Sequence, residues 1–369
     1  MRSRIRFGVI ALTLVALALG LWAALWLIGW PIGLLSPALP EAHGVLMVNG
    51  VLASLIGIER AVAMERRAFY LAPALSAFGA IWLALSGEPG IAFGAVTVGS
   101  IVLVGMFLEI ARRQPALHTV VSVVGAGCLV GGNLLGASGL DIPYLIPWWG
   151  SFLVLVIAAE RLELSRVLRL TALDRVTFAI PVALAVVGCL LSVPSFAVGF
   201  VVVASGWLLI GAWLIFHDIA YRNLPRPGLP RFTAVCLLAG YGWLLVGGGL
   251  VYAAGGTLSG LSYDAALHAV FLGFVLSMIF AHAPIILPAV LGRSLPFHRV
   301  LYLPLALLHL SLAFRVYADL ASLPVVRTWA GLFNVVAIVV YGLFLPAILG
   351  YERSSFRGAL STDASTFYP

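Results

Sequence analysis

Two histidines stand near the starts of long apolar segments that lie far apart in the chain. His43 opens the stretch "HGVLMVNGVLASLIGIER", and His268 lies at the start of "LHAVFLGFVLSMIFAHAP". An imidazole in an apolar helix can ligate a metal, carry a proton, or hydrogen-bond to backbone or water at a membrane interface. The choice among these depends on where the chain places the two side chains.

The composition specifies the solvent of this chain. Of its 369 residues, 62% are hydrophobic and 9% are charged, and the mean hydropathy is +1.11. In a soluble domain about a quarter of the residues are charged, so this composition indicates that the chain is surrounded by lipid. Apolar runs of roughly 20 residues can cross a bilayer as helices, which satisfy their own backbone hydrogen bonds. Twelve such runs are predicted, at about 7–30, 43–63, 69–86, 90–111, 117–136, 145–160, 176–193, 196–217, 232–254, 264–291, 299–318 and 328–349.

The sequence therefore predicts an all-α polytopic membrane protein with about twelve transmembrane helices. We assign 1–352 to a single transmembrane domain and 353–369 to a polar cytoplasmic tail. The similar stretches "RAFYLAPAL" and "RVLYLPLAL", and the endings "IGIER" and "IAAER" of helices 2 and 6, suggest three pseudo-repeated units of four helices. Helices 2, 6 and 10 would then be equivalent.

The basic residues orient the predicted helices. All 21 of them are arginines, and almost all fall in the starts and loops on one side of the bundle. By the positive-inside rule this side is cytoplasmic, with both termini, in a bacterial-type inner membrane. The arginines are scattered among short loops, so the net charge of +7 does not indicate a nucleic-acid partner. Only Arg315 and Arg327 lie on the outer side, either as snorkelling helix-end residues or as partners of an anion.

His43 and His268 are expected at the same depth, because helices 2 and 10 both begin on the outer side. Two histidines from separate helices can hold a haem iron from its two faces, and the haem propionates need cations at a similar level. Arg315 and Arg327 are at that level. We therefore predict a b-type haem with His43 and His268 as iron ligands and the two arginines on its propionates.

A second pair of histidines is expected deeper in the membrane. His282 lies fourteen residues after His268, about 21 Å along the helix, so it cannot bind the same iron. His282 and His309 are about equally far from the loop that joins helices 10 and 11. The pair could hold a second metal such as copper, form a proton relay, or bond to carbonyls that Pro284 and Pro288 leave free.

Two stretches resemble a known family. "LHAVFLGFVLSMIFAHAPIILPAVLGRSL" is similar to the late helix of the NnrS-like haem- and copper-containing membrane proteins, and "EAHGVLMVNG" is similar to the start of their second helix. The resemblance implies haem binding, often copper, and a link to nitric oxide tolerance.

The predicted arrangement also resembles the catalytic subunit of haem–copper oxidases and nitric oxide reductases. That fold has three groups of four helices, with a low-spin haem between histidines of helices 2 and 10 and arginines after helix 11. His43, His268, Arg315 and Arg327 match those positions. Helices 6 and 7 of this chain contain no histidine, so an oxidase-type copper centre is not expected.

The function expected from the sequence is nitric oxide handling or electron transfer by a haem protein. Its partners would be the lipid bilayer, a redox protein on the outer side and a small gas such as NO. Two alternatives remain open: a proton-coupled transporter that uses the histidines as its proton-carrying groups, and an accessory membrane subunit without a cofactor.

Overall fold

The computed structural model describes residues 2–165, 170–256, 260–292 and 296–364. Twelve helices in these ranges are long and apolar enough to cross a membrane, and no strand occurs in them. We number them α1 to α12: Arg4–Leu27, His43–Met64, Arg67–Ser86, Pro89–Arg113, Leu117–Ala137, Ile142–Leu164, Ala172–Leu191, Phe196–His217, Leu229–Ala253, Leu261–Pro288, Arg299–Leu320 and Pro324–Ala347. The predicted all-α polytopic fold and its twelve spans are confirmed.

Turn residues end the helices where the sequence interrupts the apolar runs. Gly87 adopts a left-handed conformation (φ 73°) after α3, and Pro89 then begins α4. Glycine has no Cβ to oppose a positive φ, and proline is favoured in the first turn of a helix. Thr171 caps α7 by accepting a hydrogen bond from the backbone N–H of Asp174. Such short connections leave no room for a soluble domain between the helices.

Most helices pack against their neighbours in sequence, and a few contacts join distant parts of the chain. α1 packs against α2, α3 and α12, and the second half of α2 packs against the last part of α10. Between Ile28 and Thr328, a hydrogen bond of 2.9 Å ties the end of α1 to the start of α12. These contacts bring the first two and the last three helices together, and this is where the predicted site residues lie.

The bundle has two chemically different ends. The arginine-rich end carries the loops that follow α2, α4, α6, α8 and α10. The opposite end carries the starts of α2 and α10, with His43 and His268, and is called the histidine end below. At the arginine-rich end, Arg60 donates a hydrogen bond to Glu160, so the two similar endings "IGIER" and "IAAER" meet. Arg161 makes a bidentate ion pair with Asp218, at 2.8 and 3.0 Å, and both side chains are buried.

α2 and α10 share a feature that the hydropathy pattern does not predict. Each contains an eight-residue π-helical segment, Leu46–Ala53 in α2 and Ala269–Leu276 in α10. π turns are rare in proteins and are frequently found at functional sites. α6, the third member of the predicted repeat, is a regular α-helix over Ile142–Leu164. The three-unit repeat remains a prediction.

The chain continues as a helix beyond the last span. The helix that begins at Pro324 extends to Ala364, so most of the predicted tail at 353–369 is helical. Residues 365–369 of that tail lie outside the described residues.

Candidate functional site: a pair of histidines at one end of the bundle

His43 is the first residue of α2, and its ring is fixed by the neighbouring helix. His43 Nδ1 lies 3.0 Å from the carbonyl oxygen of Gly20 in α1. A carbonyl only accepts, so this contact assigns the proton to Nδ1 and leaves the lone pair on Nε2. A Cβ on Gly20 would lie 2.7 Å from Met47 Sδ, so a larger residue there would displace the Met47 side chain.

His268 has the same arrangement on α10. Its Nδ1 lies 2.8 Å from the carbonyl oxygen of Asp264, one turn earlier, and 3.3 Å from Asp264 Oδ1. Both acceptors assign the proton to Nδ1, so His268 also keeps its lone pair on Nε2. His268 is the last residue before the π segment of α10, and His43 lies three residues before that of α2.

The two histidines lie near each other, and each has a ring nitrogen, Nε2, without a hydrogen-bond partner among the described residues. His43 lies within electrostatic range of His268, Arg315 and Asp264. In the part of the chain that the structure describes, neither Nε2 atom has a hydrogen-bond partner, and neither is enclosed. Metal-binding histidines characteristically donate Nδ1–H to a carbonyl or carboxylate, which fixes the ring and raises its basicity. His43 and His268 both have this arrangement.

Arg315 and Arg327 lie beside the histidine pair, and each bonds to an aspartate. Arg315 Nη2 and Arg327 Nη2 both donate to Oδ2 of Asp264, each at 3.0 Å. Arg327 Nε also donates to Oδ1 of Asp319 at 2.7 Å. Sequence reasoning placed the two arginines here but missed both aspartates. The aspartates could have been predicted from the sequence, because two arginines in an apolar layer need negatively charged partners.

The arginine–aspartate cluster is neutral and has unused bonding capacity. Two arginines balance two aspartates, yet Arg315 Nε is buried without an acceptor and Asp319 Oδ2 is buried without a donor. Buried polar atoms without partners are costly, so such atoms call for water or a ligand. Haem propionates require cations, and Arg327, whose side chain is 20% exposed against 6% for Arg315, is the more accessible of the two arginines.

Each ring of the second predicted pair of histidines has its own hydrogen-bond partner. His309 accepts a hydrogen bond from Trp243 Nε1 at its Nδ1 (3.0 Å), and its Nε2 lies 3.4 Å from Ser277 Oγ. His282 Nδ1 bonds to the carbonyl of Met278 at 2.7 Å, and its Nε2 is enclosed without a partner. Within the described ranges the two rings share no hydrogen-bond partner.

One further polar network lies beside the π segment of α2. The side-chain amide of Asn133 donates to Asn49 Oδ1 (2.9 Å) and to the carbonyl of Val96 (3.2 Å), and Asn133 Oδ1 accepts from Trp149 Nε1 (3.0 Å). The two asparagines and the tryptophan are fully buried. The network ties the π segment of α2 to α4, α5 and α6.

No group of three or more His, Cys, Asp or Glu side chains that could hold a metal ion is found among the described residues. A site with two protein ligands suits a metal that arrives with its other ligands already bound, as the iron of a haem does. The histidine pair and the neighbouring arginines therefore fit a haem better than a bare ion.

The chain belongs to the DUF8744 family, which is described as a domain of unknown function. The family model matches residues 6–348, which include all twelve spans apart from the first two residues of α1. No curated protein and no solved structure matches the chain significantly.

Proposed function

We propose that this member of the DUF8744 family binds one b-type haem between His43 and His268 and acts in electron transfer or nitric oxide handling. The observation that carries the proposal is the shared state of the two rings. Each ring donates Nδ1–H to a carbonyl and keeps an accessible Nε2 without a partner. The two rings also lie within electrostatic range of each other. The resemblance to NnrS-like proteins is the reason to consider nitric oxide.

Arg315 and Arg327 would hold the haem propionates with the donors that their aspartate partners leave free. Arg327 offers the nitrogen that does not bond to Asp264 or Asp319, and Arg315 contributes its positive charge beside it. Because the cluster is already neutral, at least one propionate would be favoured in its protonated form. Haem supplies one-electron redox chemistry and, at an open axial position, a binding site for small gases.

The proposal also assigns a direction in the membrane. The arginine-rich end would face the cytoplasm with both termini, and the histidine end would face the outer side of a bacterial-type inner membrane. A redox partner protein would then reach the haem from the outer side. Copper is not part of this proposal, because both ring nitrogens of His309 face neighbouring side chains and the free nitrogen of His282 is enclosed.

The test is the haem content of the purified protein. After expression with adequate haem and extraction in a mild detergent, we expect one haem per chain, identified as haem b by its pyridine haemochrome spectrum. Absence of haem at full helical content would contradict the proposal and would favour a transporter or an accessory subunit.

Addition of nitric oxide to the reduced protein separates the two activities. A haem with two histidine ligands has no free axial position, so electron transfer predicts an unchanged spectrum. Nitric oxide handling requires that one histidine leaves, and it predicts the spectrum of a nitrosyl haem.

A further inference from the structure

We infer that Asp264 is a positioning residue that sets the reduction potential of the site through His268, an inference that rests on the proposed haem. Its two carboxylate oxygens face different partners. Oδ1 lies 3.3 Å from His268 Nδ1, and Oδ2 accepts from Arg315 and Arg327 at 3.0 Å each. One side chain thus touches both the histidine and the arginine pair.

The physical effect follows from the position of the negative charge. A carboxylate beside the Nδ1–H of an imidazole makes the other ring nitrogen a stronger donor to a metal. A stronger donor and a nearby negative charge both stabilise the oxidised, more positive form of the iron. Asp264 therefore lowers the reduction potential. Arg315 and Arg327 limit this effect, because they hold Oδ2 and partly balance its charge.

The two histidines are consequently not equivalent. His43 donates only to a backbone carbonyl, that of Gly20. His268 lies against both a carbonyl and a carboxylate oxygen. We therefore expect the protein to adjust the reduction potential of the haem mainly through His268 and Asp264, which both lie on α10.

Asp319 provides a matched control in the same cluster. It is as deeply buried as any residue of the site, and it bonds to Arg327 Nε. It contacts neither histidine in the described part of the chain. Replacing either aspartate by asparagine removes one negative charge and keeps the shape, but only Asp264→Asn removes the charge that faces His268.

The experiment compares Asp264→Asn with Asp319→Asn in the haem-loaded protein, after size-exclusion chromatography has shown that both are folded. Spectroelectrochemical titration gives the midpoint potential, and electron paramagnetic resonance of the oxidised form gives the g values, which report ligand strength. We expect Asp264→Asn to raise the potential and shift the g values. Asp319→Asn should raise the potential less and leave the g values unchanged.

Equal shifts in potential with unchanged g values in both variants would overturn the inference, since charge alone would then explain the data. Asp264→Glu covers the case in which Asp264→Asn does not fold. It keeps the charge that both arginines need but moves the carboxylate relative to His268 Nδ1, so its g values should also shift. Wild-type g values in Asp264→Glu would equally overturn the inference. A wild-type protein without haem would contradict the proposed function instead.

Discussion

Arg327 Nε donates a hydrogen bond of 2.7 Å to Oδ1 of Asp319, across the short connection between α11 and α12. The side chain of Asp319 is completely inaccessible to solvent, whereas that of Arg327 is 20% exposed. The arginine is therefore the positively charged partner of a fully buried carboxyl group.

Replacing Arg327 by leucine is expected to destabilise the protein strongly. A buried ion that loses its partner costs about 3–5 kcal/mol, and Asp319 has no other charged hydrogen-bond donor among the described residues. Thermal unfolding in detergent measures the effect. Combining Arg327→Leu with Asp319→Asn should recover part of the lost stability, because the stranded charge is then removed. No recovery in the double variant would show that the ion pair is not the cause.

Replacing Asp218 by alanine tests the other end of the bundle. Asp218 is the bidentate partner of the buried Arg161, so we expect a loss of about 3–5 kcal/mol. The exposed pair of Glu109 and Arg113 is the comparison, and Arg113→Ala should cost far less, because water screens an exposed ion pair. Because Asp218 is far from the histidine pair in the bundle, the absorbance spectrum of the folded fraction should not change. A changed spectrum would link the two ends.

The buried amide network predicts a large effect from a single polar residue. Asn133→Leu removes the partner of Asn49 Oδ1, of Trp149 Nε1 and of the Val96 carbonyl. Each buried group left without a partner costs about 1–3 kcal/mol, and Asn133→Leu should lower the unfolding temperature accordingly. Asn223→Ala is the control, since its side chain accepts only from Arg226 near the surface. Equal effects of the two variants would contradict the role of the network.

The π segment of α10 predicts a rotation of His268 when one residue is removed. Deleting Leu272 should let the segment return to an α-helix, in which one residue corresponds to about 100° around the axis. His268 would then no longer face His43, and the low-spin haem spectrum should be lost while circular dichroism still reports a helical protein. Leu272→Ala keeps the number of residues and should keep the spectrum. A normal spectrum in the deletion variant would show that the π segment does not position His268.

The sequence predicts how deep in the bundle each side chain lies, but not how each helix is rotated about its own axis. Apolar residues form continuous runs along the chain, so twelve helices could be predicted. Because successive helices run in opposite directions, His43, His268, Arg315 and Arg327 were expected in one layer. The same reasoning put His282 and His309 at one depth, but the side on which each ring lies depends on the rotation of α10 and α11. Tertiary packing decides that rotation.

The aspartates and the π segments were missed for different reasons. Asp264 and Asp319 lie near helix ends, where a carboxylate usually faces water, so only the three-dimensional pairing identifies them as partners of the arginines. The π segments contain ordinary apolar residues, "LMVNGVLA" and "AVFLGFVL", and nothing in their composition separates them from α-helix. Local propensity does not specify where one extra residue is accommodated.

The most direct test of the central claim compares the optical spectra of His43→Ala, His268→Ala and His298→Ala with that of the wild type. His298 is exposed at the arginine-rich end, where its Nδ1 accepts from the N–H of Val300, so it serves as the control. We expect a low-spin Soret band in the wild type and in His298→Ala, and its loss or conversion to a high-spin form in the other two variants. An identical low-spin spectrum in all four proteins, or no haem in any of them, would contradict the central claim.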